Sequence, residues 1–191
     1  PLESKSSDLD LAVQTCLAFA VDRMADKNAT LTVWNNTGEK IEHVFGRQAL
    51  PMTWDFPEVG IFSDSTGNWM SHIGLVAETI EENISMENSG QTESASATKH
   101  PLPDEIAQVF FTDPPYYDSV PYADLSDFFY VWLKRTIGTN LKICTPLTPK
   151  DEEIIVDEVK GKDKAYFEKN MQQAMVEGQR ILADNGIGVV V

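Results

Sequence analysis

The chain has 191 residues, of which 42% are hydrophobic, and it carries a formal net charge of −15. This length and composition predict one globular core, and the sequence contains no apolar run of the roughly twenty residues that a membrane span requires. The acidic charge argues against a freestanding nucleic-acid-binding domain, because duplex binding depends on neutralised phosphates. Cys16 and Cys144 form neither a metal-binding spacing nor a disulfide framework. With no signal peptide at the start, we expect a cytoplasmic protein without a metal.

The first half of the chain predicts two amphipathic helices with a hairpin between them. Residues 7–25 predict a helix that Ser7 caps, because apolar side chains recur there every three or four positions. Residues 30–34 and 40–45, which flank a short polar turn, predict the hairpin. Residues 69–86 predict the second helix from the same apolar spacing.

The second half predicts two strands and two further helices. Residues 108–112 are β-branched and aromatic, which predicts a strand that is buried on both faces. Residues 121–137 and 165–183 each predict a helix. Asp184-Asn185-Gly186 is expected to end the last helix, and residues 187–191 predict another buried strand.

The most informative feature is that the first of these strands ends in Asp113-Pro114-Pro115-Tyr116. Two consecutive prolines restrict φ, remove two N–H donors and produce a stiff corner. At such a corner the Asp113 carboxylate and the Pro114 carbonyl can both accept hydrogen bonds, and the ring of Tyr116 can supply a flat wall. The motif therefore predicts a receptor for a planar group that carries an NH2. Two further aromatic residues bracket the motif and are candidate substrate-binding walls: Tyr117 and Tyr122.

The chemistry of an aromatic amine explains why two acceptors would matter. Such an amine is a poor nucleophile, because its lone pair is delocalised into the ring. Acceptors that hold both N–H bonds would favour a more pyramidal nitrogen, whose lone pair can attack an electrophile. The tetrapeptide resembles the Asp/Asn-Pro-Pro-Tyr/Phe motif of S-adenosylmethionine-dependent amino-methyltransferases, which hold a flipped-out adenine or another planar amine. This resemblance implies catalytic roles for Asp113, Pro114, Pro115 and Tyr116.

Longer segments extend the resemblance. Residues 113–135 are similar to a group of large adenine-specific DNA methylases, and residues 46–58 and 145–157 are similar to segments upstream and downstream of the motif in that group. The resemblance implies methyl transfer from S-adenosylmethionine to the N6 amine of adenine. The expected partner is DNA, bound through the full-length parent, and no particular oligomeric state is predicted.

The resemblance also implies a fold. We expect residues 1–191 to form part of a class I, Rossmann-like methyltransferase domain, an α/β fold with a parallel sheet and helices on both faces. Within it, residues 30–67 would be a hairpin and loop excursion and residues 87–100 a connector rich in Ser, Thr, Glu and Gly. Residues 108–191 would be the half of the catalytic core that carries the motif.

The cofactor half of the site is less complete in this sequence. Class I methyltransferases bind S-adenosylmethionine at a glycine-rich turn that has no counterpart here. We therefore expect a piece of a longer protein that binds the cofactor weakly or not at all and is inactive by itself. Methyltransferases often carry Gly-Asp-Ala at the end of a strand where residues 95–97 fall, so Ser96 is a candidate cofactor contact together with Asp113. That assignment predicts a short strand over residues 92–94.

Two other functions compete with DNA methylation. The same motif also serves methylation of RNA bases and of protein glutamine, since each presents a planar NH2. The acidic surface suits a protein or RNA–protein target slightly better. A methyltransferase fold that has lost catalysis and serves assembly with partner subunits is the other alternative.

Overall fold

The computed structural model describes residues 8–84, 90–140 and 145–191, which form two compact units. We call them the helical unit, formed by Pro1–Asn88 and Tyr122–Lys150, and the sheet unit, formed by Ser89–Pro121 and Asp151–Val191. Three predicted features fall outside the described residues: the Ser7 cap, the start of the connector at 87–89, and Cys144. No helix in the described ranges is long and apolar enough to cross a membrane.

Three helices dominate the helical unit: α1 (Asp8–Ala25), α2 (Trp69–Asn83) and α3 (Tyr122–Thr136). Helix α1 contacts both of the others. Its buried residues are all alanines, whose small side chains allow neighbouring backbones to approach closely. Helix α2 is capped by the Asn68 side chain, which accepts a hydrogen bond from the Ser71 N–H at 2.9 Å. All three helices confirm the prediction from apolar spacing.

The predicted hairpin is also present in the helical unit, although its strands are short. Strand β1 (Trp34–Asn35) pairs antiparallel with β2 (Lys40–Ile41). The Asn35 side chain closes the turn by accepting hydrogen bonds from the backbone N–H groups of Thr37 and Gly38, at 2.9 and 2.8 Å. An asparagine that bonds to the backbone two and three residues ahead is a local turn-forming device, which explains why this element was visible in the sequence.

The sheet unit contains β3 (Ala107–Thr112), α4 (Lys164–Ile181) and β4 (Leu182–Val190). The two strands are adjacent and parallel, in register from Val109 opposite Ile187 to Thr112 opposite Val190. The ring of Phe110 lies against α4 at Gly178, where any side chain would collide with it. The chain therefore has a mixed α/β architecture with a small parallel sheet.

Three predictions about these strands are wrong. Strand β4 is not buried, since Ile187 and Val190 are 63% and 55% exposed. Strand β3 is not buried on both faces, because α4 packs on the Phe110 side while Val109 and Phe111 on the other side remain 62% and 66% exposed. The predicted turn at residues 184–186 lies inside β4 instead. Leu182 already pairs with Ala107, and the register resumes with Ile187 opposite Val109, so four residues of β4 lie opposite one residue of β3 and the pairing is irregular there.

Candidate functional site

The Asp-Pro-Pro motif lies where strand β3 ends, on the wall of a cavity of about 190 Å³ in the sheet unit. The strand contributes Phe110 and Thr112 to this wall, and the motif contributes Asp113, Pro114 and Pro115. The predicted corner is thus at the carboxyl end of a parallel strand, which is the usual position of a ligand site in open α/β sheets.

Helix α4 supplies the apolar side of the cavity through four residues: Met171, Ala174, Met175 and Gly178. Gly178 and Ala174 are small, and both are buried in the helix face that packs on the strand. The two methionines are flexible apolar side chains that adapt to the shape of a ligand. The helix therefore provides an apolar part of the wall of the cavity that the motif also lines.

The two acceptors of the corner have no partner among the described residues. No hydrogen bond or ion pair within those ranges engages the Asp113 carboxylate, and none engages the Pro114 carbonyl. The carboxylate is exposed, and both prolines are half-buried. The arrangement leaves a charged acceptor and a neutral acceptor on consecutive residues of the cavity wall.

Tyr116 of the motif and the next residue, Tyr117, are not part of the cavity wall. Tyr116 is 52% exposed, and its carbonyl accepts a hydrogen bond from the Ser119 N–H at 2.8 Å. Tyr117 has a left-handed backbone with φ of 38°, and its ring meets that of Phe167 edge to face with centroids 5.2 Å apart. The Val156 N–H donates to the Tyr117 carbonyl at 3.0 Å. In this structure Tyr117 is a packing residue that holds the corner on α4.

The remaining candidate residues are placed as follows. Tyr122 is the first residue of α3 and belongs to the helical unit. Ser96 bonds to the Thr98 hydroxyl at 2.9 Å and pairs with Lys99 in a tight turn. The strand predicted over residues 92–94 does not form, because that segment has no pairing partner in the described chain. Ser96 is not on the cavity wall, whereas the next residue, Ala97, is.

Sequence reasoning missed the residues that hold the loop of His100, which lies on the cavity wall. Arg180, near the end of α4, donates to the carbonyls of His100 and Leu102, at 3.0 Å in each case, and it pairs with Asp104 and Glu177. Glu177 in turn accepts from the His100 N–H at 2.9 Å. Hydrogen bonds from Arg180, together with this one from the His100 backbone, lower the pKa of Glu177. We call the side chains of Arg180 and Glu177 the latch of the loop at 100–104. The only sequence signal for it is the i,i+3 spacing of the acid and the base on one helix.

The cavity does not fit S-adenosylmethionine. Sites for drug-sized ligands are typically about 300 to 1,000 Å³, which is larger than this one. A single planar ring is a more suitable occupant of a small cavity with an apolar wall and two acceptors. In the described part of the chain, no three His, Cys, Asp or Glu side chains are grouped so that they could hold a metal ion.

The site is a small cavity at the end of a parallel strand in a mixed α/β chain. Comparison with known proteins adds nothing further, since no protein-family model, no curated protein and no solved structure matches this chain.

Proposed function

We propose that the sheet unit is the target-amine pocket of an amino-methyltransferase that acts on the N6 amine of adenine in DNA. The observation that carries the proposal is the pair of acceptors on Asp113 and Pro114, which have no partner in the described chain and lie on the wall of a ring-sized cavity. The motif by itself supports the same chemistry through its resemblance to amino-methyltransferases.

The chemistry assigned to the chain is the orientation of an amine. The Asp113 carboxylate would accept one N–H of the amine and the Pro114 carbonyl the other, which favours a lone pair directed away from the ring. The prolines make this geometry rigid, because each lacks rotation about φ. Since the cavity does not fit the methyl donor, no step of the transfer is assigned to residues around it.

The architecture supports a Rossmann-like domain as the finer fold. Strands β3 and β4 are parallel neighbours, and the chain between them includes α4, which covers one face of the pair. This is the arrangement of a βαβ unit, the repeating element of doubly wound folds. In such folds the loop at the carboxyl end of a strand carries the ligand site, and the Asp-Pro-Pro corner occupies that position here.

A binding experiment tests the amine pocket directly. Ligand-observed NMR titration of the 191-residue chain is expected to detect 2′-deoxyadenosine and to detect purine deoxyriboside, which lacks the amine, much more weakly. Removal of a charged acceptor costs about 1.5 to 3 kcal/mol, so Asp113→Ala should weaken binding by about 10- to 150-fold.

The matched control is Asp118→Ala, which removes an exposed acid that is five positions further along and absent from the cavity wall. It should leave the affinity unchanged. Equal binding of the two nucleosides, or equal affinities of the Asp113 variant and the unchanged chain, would show that the corner does not receive an amine.

One observation favours a second candidate, methylation of a protein glutamine amide. The net charge of −15 opposes association with a nucleic-acid backbone and has no such effect on a neutral amide. A short glutamine peptide that competes with deoxyadenosine at lower concentration would favour this candidate. Failure of the chain to bind either amine would leave a non-catalytic assembly module as the better description.

A further inference from the structure

His100 lies on the wall of the same cavity as Asp113 and Pro114, and the sequence offered no reason to select it. Its ring is oriented by a bond within its own loop, in which the Leu102 N–H donates to His100 Nδ1 at 3.2 Å. A backbone N–H bonded to a side chain two residues earlier is the geometry of an Asx turn, with a histidine nitrogen in place of the usual oxygen.

This bond determines which ring nitrogen carries the proton. A neutral imidazole has one donor nitrogen and one acceptor nitrogen. Because Nδ1 accepts from Leu102, the proton is on Nε2, which is therefore a donor. No hydrogen bond in the described ranges engages Nε2. The cavity wall thus includes a residue with one unused N–H donor, besides the two unused acceptors of the motif.

The backbone of His100 is held at both of its polar groups by the latch on α4. Its N–H donates to Glu177 Oε2 at 2.9 Å, and its carbonyl accepts from Arg180 Nη2 at 3.0 Å. Arg180 also binds the Leu102 carbonyl at 3.0 Å, so both ends of the turn are attached to the helix that forms the apolar side of the cavity. A donor that is supported in this way keeps its position relative to the motif, as specific recognition requires.

We propose that His100 is a specificity-determining residue, whose Nε2–H donates to the ring nitrogen beside the bound amine, N1 of adenine. This role rests on the proposed function, and it specifies which edge of the base the protein recognises. Two acceptors and one donor on the wall complement an amine flanked by a ring acceptor, a pattern that the Watson–Crick edge of adenine presents. A 6-oxopurine presents the reverse pattern, a carbonyl beside a ring N–H, and would leave all three groups unpaired.

The test combines analogues of the base with variants of the protein. In the unchanged chain, 1-deaza-2′-deoxyadenosine, whose N1 is replaced by C–H, should bind about 3- to 10-fold more weakly than 2′-deoxyadenosine, the effect of one neutral hydrogen bond. The 7-deaza analogue keeps N1 and should bind like the parent nucleoside.

Two variants of His100 separate its donor from its structural role. His100→Asn retains an acceptor for the Leu102 N–H and lacks a group at the position of Nε2, so it should bind deoxyadenosine about 3- to 10-fold more weakly and no longer distinguish the 1-deaza analogue. His100→Gln places an amide N–H near the position of Nε2 and should restore part of the discrimination. Circular dichroism of both variants checks that the fold is retained.

The outcomes distinguish the two proposals. If the unchanged chain does not prefer deoxyadenosine to purine deoxyriboside, the amine pocket itself is wrong and the role of His100 falls with it. If deoxyadenosine is preferred, the amine pocket stands. The role of His100 is then refuted if the unchanged chain binds the 1-deaza analogue as well as deoxyadenosine, or if His100→Asn still binds that analogue more weakly. Sensitivity to the 7-deaza analogue alone would also refute it, because the opposite edge would then be read.

Discussion

Replacement of Gly178 with alanine tests the packing beneath the cavity. A Cβ at Gly178 would lie 2.5 Å from the Phe110 ring atoms Cε1 and Cζ, which is closer than two carbons can approach. Overpacking of this kind costs about 1 to 3 kcal/mol. Alanine also has better helix propensity than glycine by about 1 kcal/mol. The free energy of unfolding should therefore fall by about 1 kcal/mol in Gly178→Ala.

A second helical glycine supplies the matched control. Gly74 lies in α2, and a Cβ there would meet nothing within 4 Å. Gly74→Ala should accordingly raise the free energy of unfolding by about 1 kcal/mol, the gain in helix propensity alone. The two identical substitutions are thus expected to act in opposite directions, and the difference of about 2 kcal/mol measures the collision with Phe110.

The assay should resolve each unit separately, because the two glycines lie in different units. Native-state hydrogen exchange of amides in α4 and α2 reports local stability in each, and urea denaturation reports the total change. Because Gly178 and Phe110 both line the cavity, Gly178→Ala should also weaken deoxyadenosine binding, whereas Gly74→Ala should not. If Gly178→Ala stabilises α4 as much as Gly74→Ala stabilises α2, then α4 does not pack on the strand as described.

Three further predictions concern charged groups. Burial raises the pKa of Asp22 to about 6. The charged carboxylate therefore destabilises the fold increasingly as pH rises from 4 through 6. Asp22→Asn should raise the melting temperature at pH 8 and change it little at pH 4. Burial acts to raise the pKa of Asp127, but hydrogen bonds from Lys150 and Thr148 hold this pKa at about 2. Asp127→Asn should therefore lower the melting temperature at pH 7, and its difference from the unchanged chain should disappear as pH falls from 4 through 2. Arg180→Met should accelerate hydrogen exchange across the loop at 100–104 while leaving exchange in α1 unchanged, and unaltered loop exchange would contradict the latch.

Elements that depend on neighbours in sequence were predictable. The helices followed from apolar residues at three- and four-residue spacing, since that spacing places them on one face whatever they contact. The hairpin followed from the polar turn at Asn35, whose side chain bonds to the backbone two and three residues ahead. The Asp-Pro-Pro corner was predictable for the same reason, because each proline restricts its own φ and the conformation of the residue before it.

The errors occurred where distant segments meet. The Asp-Asn-Gly sequence at 184–186 has the composition of a turn, yet the pairing of Leu182 with Ala107 places the segment within a strand of irregular register. Strand β3 has the composition of a doubly buried strand, although α4 packs on its Phe110 side while Val109 remains exposed on the other. Amino-acid composition shows that a strand can be buried, whereas the number of elements that cover it depends on the whole fold.

The sequence by itself determined the chemistry offered at the end of β3, because the rigid corner that presents the Asp113 and Pro114 acceptors is made by consecutive residues. Only the tertiary structure decided what surrounds that corner. It placed His100 on the same cavity wall and secured its loop through Arg180, which is 80 positions away in the chain. Local rules extend over a few residues, whereas a contact across such a separation exists only after the helix and the loop have packed together.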